Sequence, residues 1–303
     1  MKKIVILLVA LLSASILSAK GDLHMFDVDN KDGSITTKQI EQAFVDNGFG
    51  IGINSNMNKP FMIQFKKTDY KIYTLLTVYH KKTSFELVKK HSDYGVFMPM
   101  GVVIYQSKKE DTLHVAVLTT EAQEKILGFN DKLISSIEKD VLDVLSKTLP
   151  TAKHKLSEDA LKEDTPLITK YELNLDGEDW QEMRENLIMS LENGFELYGF
   201  VVPSKLSVNE SIKGDSPYDF YQTYSICKLP VIYTVSLTTP EAGAFAPCSL
   251  MIYKKKGEDK IVLGFPSVHN WMSSAKVQDK DGKAILLKAQ KQFEAILVEA
   301  TEE

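Results

Sequence analysis

The run Val96-Phe97-Met98-Pro99-Met100-Gly101-Val102-Val103-Ile104-Tyr105 returns later as Ala244-Phe245-Ala246-Pro247-Cys248-Ser249-Leu250-Met251-Ile252-Tyr253. Phe97 and Phe245, Pro99 and Pro247, Ile104 and Ile252, and Tyr105 and Tyr253 share one constant offset. After each run comes a polar turn and then a further apolar strand, at 112–118 and at 261–265. A fixed offset over matched positions marks an internal repeat, and a repeat decides the architecture ahead of any local pattern. With 303 residues the chain can hold two ordinary domains.

Residues ahead of the first copy read as a targeting segment. Lys2 and Lys3 precede an apolar run, 4–17, broken only by small Ser and Ala, and Ser18-Ala19 supplies small residues for cleavage. A signal peptide at 1–19 is expected, with an uncleaved anchor as the alternative. The run falls short of the roughly 20 apolar residues that a spanning helix wants. No later window is long and apolar enough to cross a membrane, so a periplasmic or secreted protein is expected. The net charge of -5, with both signs interspersed, offers no basic face for nucleic acid.

Taken in order, the first copy occupies 20–150. Thr36 to Gln39 is a capping box opening a helix, with Ile40, Ala43 and Phe44 on one face. Asn47-Gly48-Phe49 closes it. A strand follows at 49–54, then one at 72–79, a short helix near 84–91, the repeated strand pair, and a helix with Ile134, Ile137, Val141 and Leu145 inward. Residues 151–167 are polar and charged and read as a linker. The second copy, 168–303, runs in parallel. There Asn193-Gly194-Phe195 is read as the return of Asn47-Gly48-Phe49, with a strand at 196–202 and a polar insertion at 203–217. Each copy reads strand, helix, four strands, helix. Four strands in succession favour antiparallel pairing with helices gathered on one face, an α+β sandwich made twice.

Two apparent motifs fail on spacing. A calcium loop with Gly33 at its sixth position would place Val28 and Gln39 at essential ligand positions. Gly48-Phe49-Gly50-Ile51-Gly52 lacks the spacing, the preceding strand and the following helix of a dinucleotide fingerprint.

Strand 77–80, Thr-Val-Tyr-His, and strand 97–100, Phe-Met-Pro-Met, resemble the bacterial domain of unknown function 302 (DUF302) family. The resemblance runs from about Phe49 to Leu118 in the first copy and is weaker in the second, where 229–245 differs. It implies a β-α-β4-α fold of the TATA-binding-protein-like kind and a tendency of domains to pair, so an intrachain pseudo-dimer is expected. It implies no activity and carries no catalytic residues.

Several chemistries compete for the residues that stand out. His80, Met98 and Met100, with His91 nearby, could hold copper, since thioether and imidazole suit a soft metal; the same Met spacing also suits a strand core. Cys227 and Cys248 lie on strands that the repeat makes neighbours, and an oxidising compartment permits a disulfide between them. No nucleophile elbow, zinc-binding helix or phosphate loop is present. No catalytic residue and no cofactor is expected, although an enzyme of unrecognised type stays open. The favoured reading is a non-catalytic module that binds a small apolar ligand or a peptide. Its groove would lie between the sheet and the helix of Ile134 to Leu145, lined or backed by Tyr73, Tyr79, Phe97, Met100 and Tyr105. A structural tandem offering a surface to a protein partner is the alternative.

Overall fold

The computed structural model describes residues 21–162 and 167–302. The expected signal peptide at 1–19 lies outside these residues. Among them, no helix is long and apolar enough to cross a membrane.

In the first half, β1 (Leu23–Asp29) leads to α1 (Thr37–Asp46), β2 (Phe49–Asn56), α2 (Asn58–Phe65) and β3 (Tyr70–His80). Then come α3 (Thr83–Lys90), a 3-10 helix (Ser92–Phe97), β4 (Met100–Ser107), β5 (Thr112–Leu118), α4 (Thr120–Leu127), α5 (Lys132–Thr148) and β6 (Lys153–Leu156). The second half has β7 (Ile168–Asn174), α6 (Trp180–Tyr198), β8 (Val201–Ser207), α7 (Val208–Ser211) and β9 (Tyr218–Cys227). It ends with α8 (Leu229–Ser236), a 3-10 helix (Pro240–Phe245), β10 (Cys248–Lys255), β11 (Lys260–Pro266), α9 (Val268–Ser274) and α10 (Lys280–Glu302).

The sheets have one topology. Strand order is β2-β3-β4-β5-β1-β6 in the first and β7-β11-β10-β9-β8 in the second, with every pairing antiparallel. Read from the opposite end, the second order reproduces the first, and β6 is the added strand. The α+β class follows from the chain's own patterning. The Thr36–Gln39 capping box forms as expected, and α1 buries Ile40 and Phe44. Helix α5 opens on an Asp131 cap and buries Ile134, Ile137, Val141 and Leu145. Both Met98-Pro99 and Ala246-Pro247 are cis.

Two boundaries differ from the sequence reading. Helix α6 does not stop at Asn193-Gly194. It runs to Tyr198 and ends on Gly199, whose φ of 70° is the left-handed cap that glycine adopts without a Cβ clash. The true counterpart of Gly48 is therefore Gly199. Gly194 instead lets α6 lie close on α10, since a Cβ there would stand 2.7 Å from Ile296. With the register restored, 203–217 is no insertion: β8 and α7 match β2 and α2, and 212–217 leads into β9. The expected linker also begins too early: Lys153–Leu156 pairs with β1, and Leu161 is buried beside Asp22. Its polar side chains suit an edge strand exposed on both faces, which is why it shows no apolar period.

The two halves pack on each other through equivalent elements. Each 3-10 helix lies on the other half's sheet, Pro240–Phe245 against β4 and Ser92–Phe97 against β10. Tyr218 Oη donates to the Val88 carbonyl (2.6 Å), and Tyr70, its mate, donates to the Ser236 carbonyl. Tyr73 Oη donates to the Pro240 carbonyl (3.1 Å), and Tyr221 donates to the Ser92 carbonyl. Mates in all four cases differ by 148 residues, donor and acceptor alike. That is the reciprocity of a two-fold interface, written within a single chain. Gly95 and Gly243 are mates as well. A Cβ on Gly243 would stand 2.6 Å from Val103 Cγ2, and one on Gly95 would stand 2.0 Å from Tyr221 Oη.

Candidate functional site

The structure disperses the residues expected to line a first-half groove. Strand register pairs Tyr73 with Tyr105, and both are buried on the face turned to the second half. Phe97 faces its mate Phe245 across a gap of only about 10 Å3, which Pro99, Pro247, Gly101 and Ser249 also line. Tyr79 lies over Gly50, where a Cβ would stand 2.2 Å from its ring, and meets Phe85 edge-on. Met98 and Met100 are fully buried, and Met100 also lines the gap beside Phe97. Tyr73, Phe97 and Tyr105 thus belong to the interdomain interface, while Tyr79 packs on β2 and α3.

His80 is likewise committed elsewhere. Its Nδ1 accepts from the Lys82 and Thr83 backbone N–H groups at 3.3 and 3.1 Å, capping α3, and its Nε2 faces Asp140 Oδ2 at 3.6 Å. Nδ1 is thus taken up by the start of α3 and Nε2 by Asp140. Among the described residues no cluster of His, Cys, Asp or Glu is arranged for a metal.

The two cysteines are free, contrary to the expected disulfide. The register sets Cys248 opposite Ile226, so Cys227 lies one residue out of step. The two side chains are therefore not directly opposed across the strands, although both line one cavity. Burial pushes both thiols up to about 12. Such thiols are protonated at neutral pH and are poor nucleophiles.

A space between sheet and helices does exist, in the second half. A cavity of about 50 Å3 lies among Ile226, Lys228, Ala246, Cys248, Trp271 and Phe293, under α9 and α10. Its origin can be read from the repeat. Ala246 and Cys248 stand where the first half has Met98 and Met100. Two short side chains leave open what two methionines close. The wall is apolar apart from Lys228 and Gln290. Gln290 Oε1 accepts from Val268 N at 3.1 Å, and its Nε2 donates to Thr169 Oγ1 at 3.2 Å. The indole N–H of Trp271 is buried without a hydrogen-bond partner.

Lys228 replaces His80 at the equivalent position. Its Nζ donates to the Tyr198 carbonyl and to Gln292 Oε1 (2.7 Å), and it sits 4.5 Å from the centre of the Phe200 ring. Burial and nearby Lys288 hold its ammonium below the usual lysine range. Sequence reading missed this site because it sought aromatic residues, whereas the signal is a pair of small residues at matched positions.

The family comparison falls on the same half. The family model described as "Domain of unknown function DUF302" matches residues 182–300. The match covers most of the second half and none of the first. The match lies in the copy that sequence reading took as the more divergent, and the misplaced end of α6 explains that impression. DUF302 names no activity. A crystal structure of an uncharacterised conserved DUF302 protein from Bacillus stearothermophilus shares 22% identity with this chain. It covers 43% of this chain and 97% of its own, with a TM-score of 0.35. No curated protein matches. The cavity, Lys228 and Trp271 all lie within the matched DUF302 residues.

Proposed function

We propose that the chain is an exported, non-catalytic binding protein whose second half holds a small apolar ligand in the cavity under α9 and α10. The first half serves as its intrachain partner. One observation carries this reading: the space occupied by Met98 and Met100 in one half is open at Ala246 and Cys248 in the other. The high pKa of both thiols supports a binding role over a catalytic one. A cavity of this size takes a few carbon atoms, since about 150 Å3 is enough for benzene. Thermal melts with 1-propanol test the site. The intact protein should be stabilised, and an Ala246→Met, Cys248→Met variant should lose the shift while keeping its fold. A shift that survives in the filled variant would remove the cavity from the reading. A structural tandem is the second reading, favoured by the exposure of Met189 (60%), Leu197 (74%) and Val201 (55%) on the outside of the second half.

A further inference from the structure

We infer that the ligand is a small monocarboxylate, with its apolar tail in the cavity and its carboxylate against Lys228; this rests on the binding reading above. Lys228 is a partition between two spaces. It lines the cavity on one side. Its Nζ contacts Tyr198 and Gln292, which both line a groove of about 460 Å3 on the other side. That groove also carries Lys288 and Lys291, and no carboxylate lines it. Among the described residues, no ion pair involves Lys228, Lys288 or Lys291.

The first half shows the compensated version of the same corner. There His80 stacks edge-on against Phe49 and faces Asp140. In the second half the ring partner is Phe200, the cation is Lys228, and the helix residue facing it is Gln292. By the 148-residue offset Asp140 becomes Lys288 and Gln292 stands in place of Val144, so the half that opens a cavity also replaces the carboxylate beside its cation with a second lysine. An uncompensated, partly desolvated ammonium next to an apolar space selects an anion with a short tail. The tail length follows from the volume, which admits only a few carbons.

The test uses the full chain, with propionate, 1-propanol and propylamine as probes. Trp271 lines the cavity and is one of two tryptophans in the chain, so its fluorescence reports occupancy. Propionate should bind at least tenfold more tightly than propanol, and propylamine more weakly than either. Lys228→Gln should abolish the propionate preference and leave propanol binding intact. Gln292→Glu keeps the lysine but neutralises it, and should produce the same loss. Equal affinity for propionate and propanol would overturn the anion while leaving the apolar cavity standing. No binding of any probe would overturn both. Binding to phosphatidylglycerol vesicles without binding to propionate would also overturn the proposal, in favour of a lipid surface.

Discussion

Single positions decide whether the two halves can meet. Gly243 is close to Val103 and to the Tyr73 hydroxyl, and Gly95 is against Tyr221, which is fully buried and cannot swing away. An added methyl at either place overpacks a closed interface, which costs roughly 1–3 kcal/mol. Gly243→Ala and Gly95→Ala should each lower the melting temperature, and chemical denaturation would give the magnitude. An unchanged denaturation midpoint in both would show that the interface yields. Cys227 and Cys248 offer a second check at this scale. With both thiols pushed up to about 12, the native protein should alkylate roughly a thousandfold more slowly at pH 8 than an ordinary exposed cysteine. On unfolding without reductant, two equivalents should react; fewer would mean that the cysteines are not free.

At the scale of elements, β6 is the added edge strand that leads out of the first half. It is held to β1 partly through His24 Nδ1 and His154 Nε2, 3.0 Å apart, while His24 Nε2 meets Glu138 at 2.9 Å. His154 also stacks on Phe26, with ring centres 4.4 Å apart. Burial, and then the neighbouring His24, hold the His154 pKa below its usual value. The unfolded chain therefore takes up a proton at this site near pH 6.5, before the folded chain does. Stability from this site is present above that pH and is lost as pH falls from about 6.5 toward the folded pKa. A His154→Phe variant keeps the stack and removes the titration. The melting temperature of the parent should fall more steeply between pH 7 and pH 5 than that of the variant. Parallel curves would sink this assignment. Asp22, whose pKa is raised by burial, works in the opposite direction, and comparing parent with variant cancels it.

For the molecule as a whole, one hydrophobic cluster spans both halves. It contains Ile40, Val141 and Phe97 together with Tyr221, Phe245 and Trp271. Asp22 Oδ2 accepts from Ser274 Oγ at 2.6 Å and Asp93 pairs with Lys170 at 2.5 Å, so polar links cross the interface as well. Neither half can lose its structure without exposing the other's tyrosines. Calorimetry should show a single unfolding transition, with the calorimetric and van't Hoff enthalpies in agreement. Two resolved transitions would mean that the halves unfold as separate domains.

The sequence by itself determined the repeat and the antiparallel α+β class, while the pairing of like with like was expected from the family resemblance. The first two depend on local period, capping residues and a fixed offset, all of which are legible along one dimension. The Thr36 box and the Asp131 and Asp179 caps fell where the side chains call for them. Only the tertiary structure decided which aromatic residues face a partner domain, since Tyr73 and Tyr105 have the same strand pattern whether they meet a ligand or a 3-10 helix. It also decided that Gly199, and not Gly194, ends α6, because either glycine permits a stop and only packing against α10 selects between them. The cavity belongs to the same class. A void is the absence of side chains from several distant segments at once, and Ala246 and Cys248 acquire that meaning only when α9 and α10 close over them.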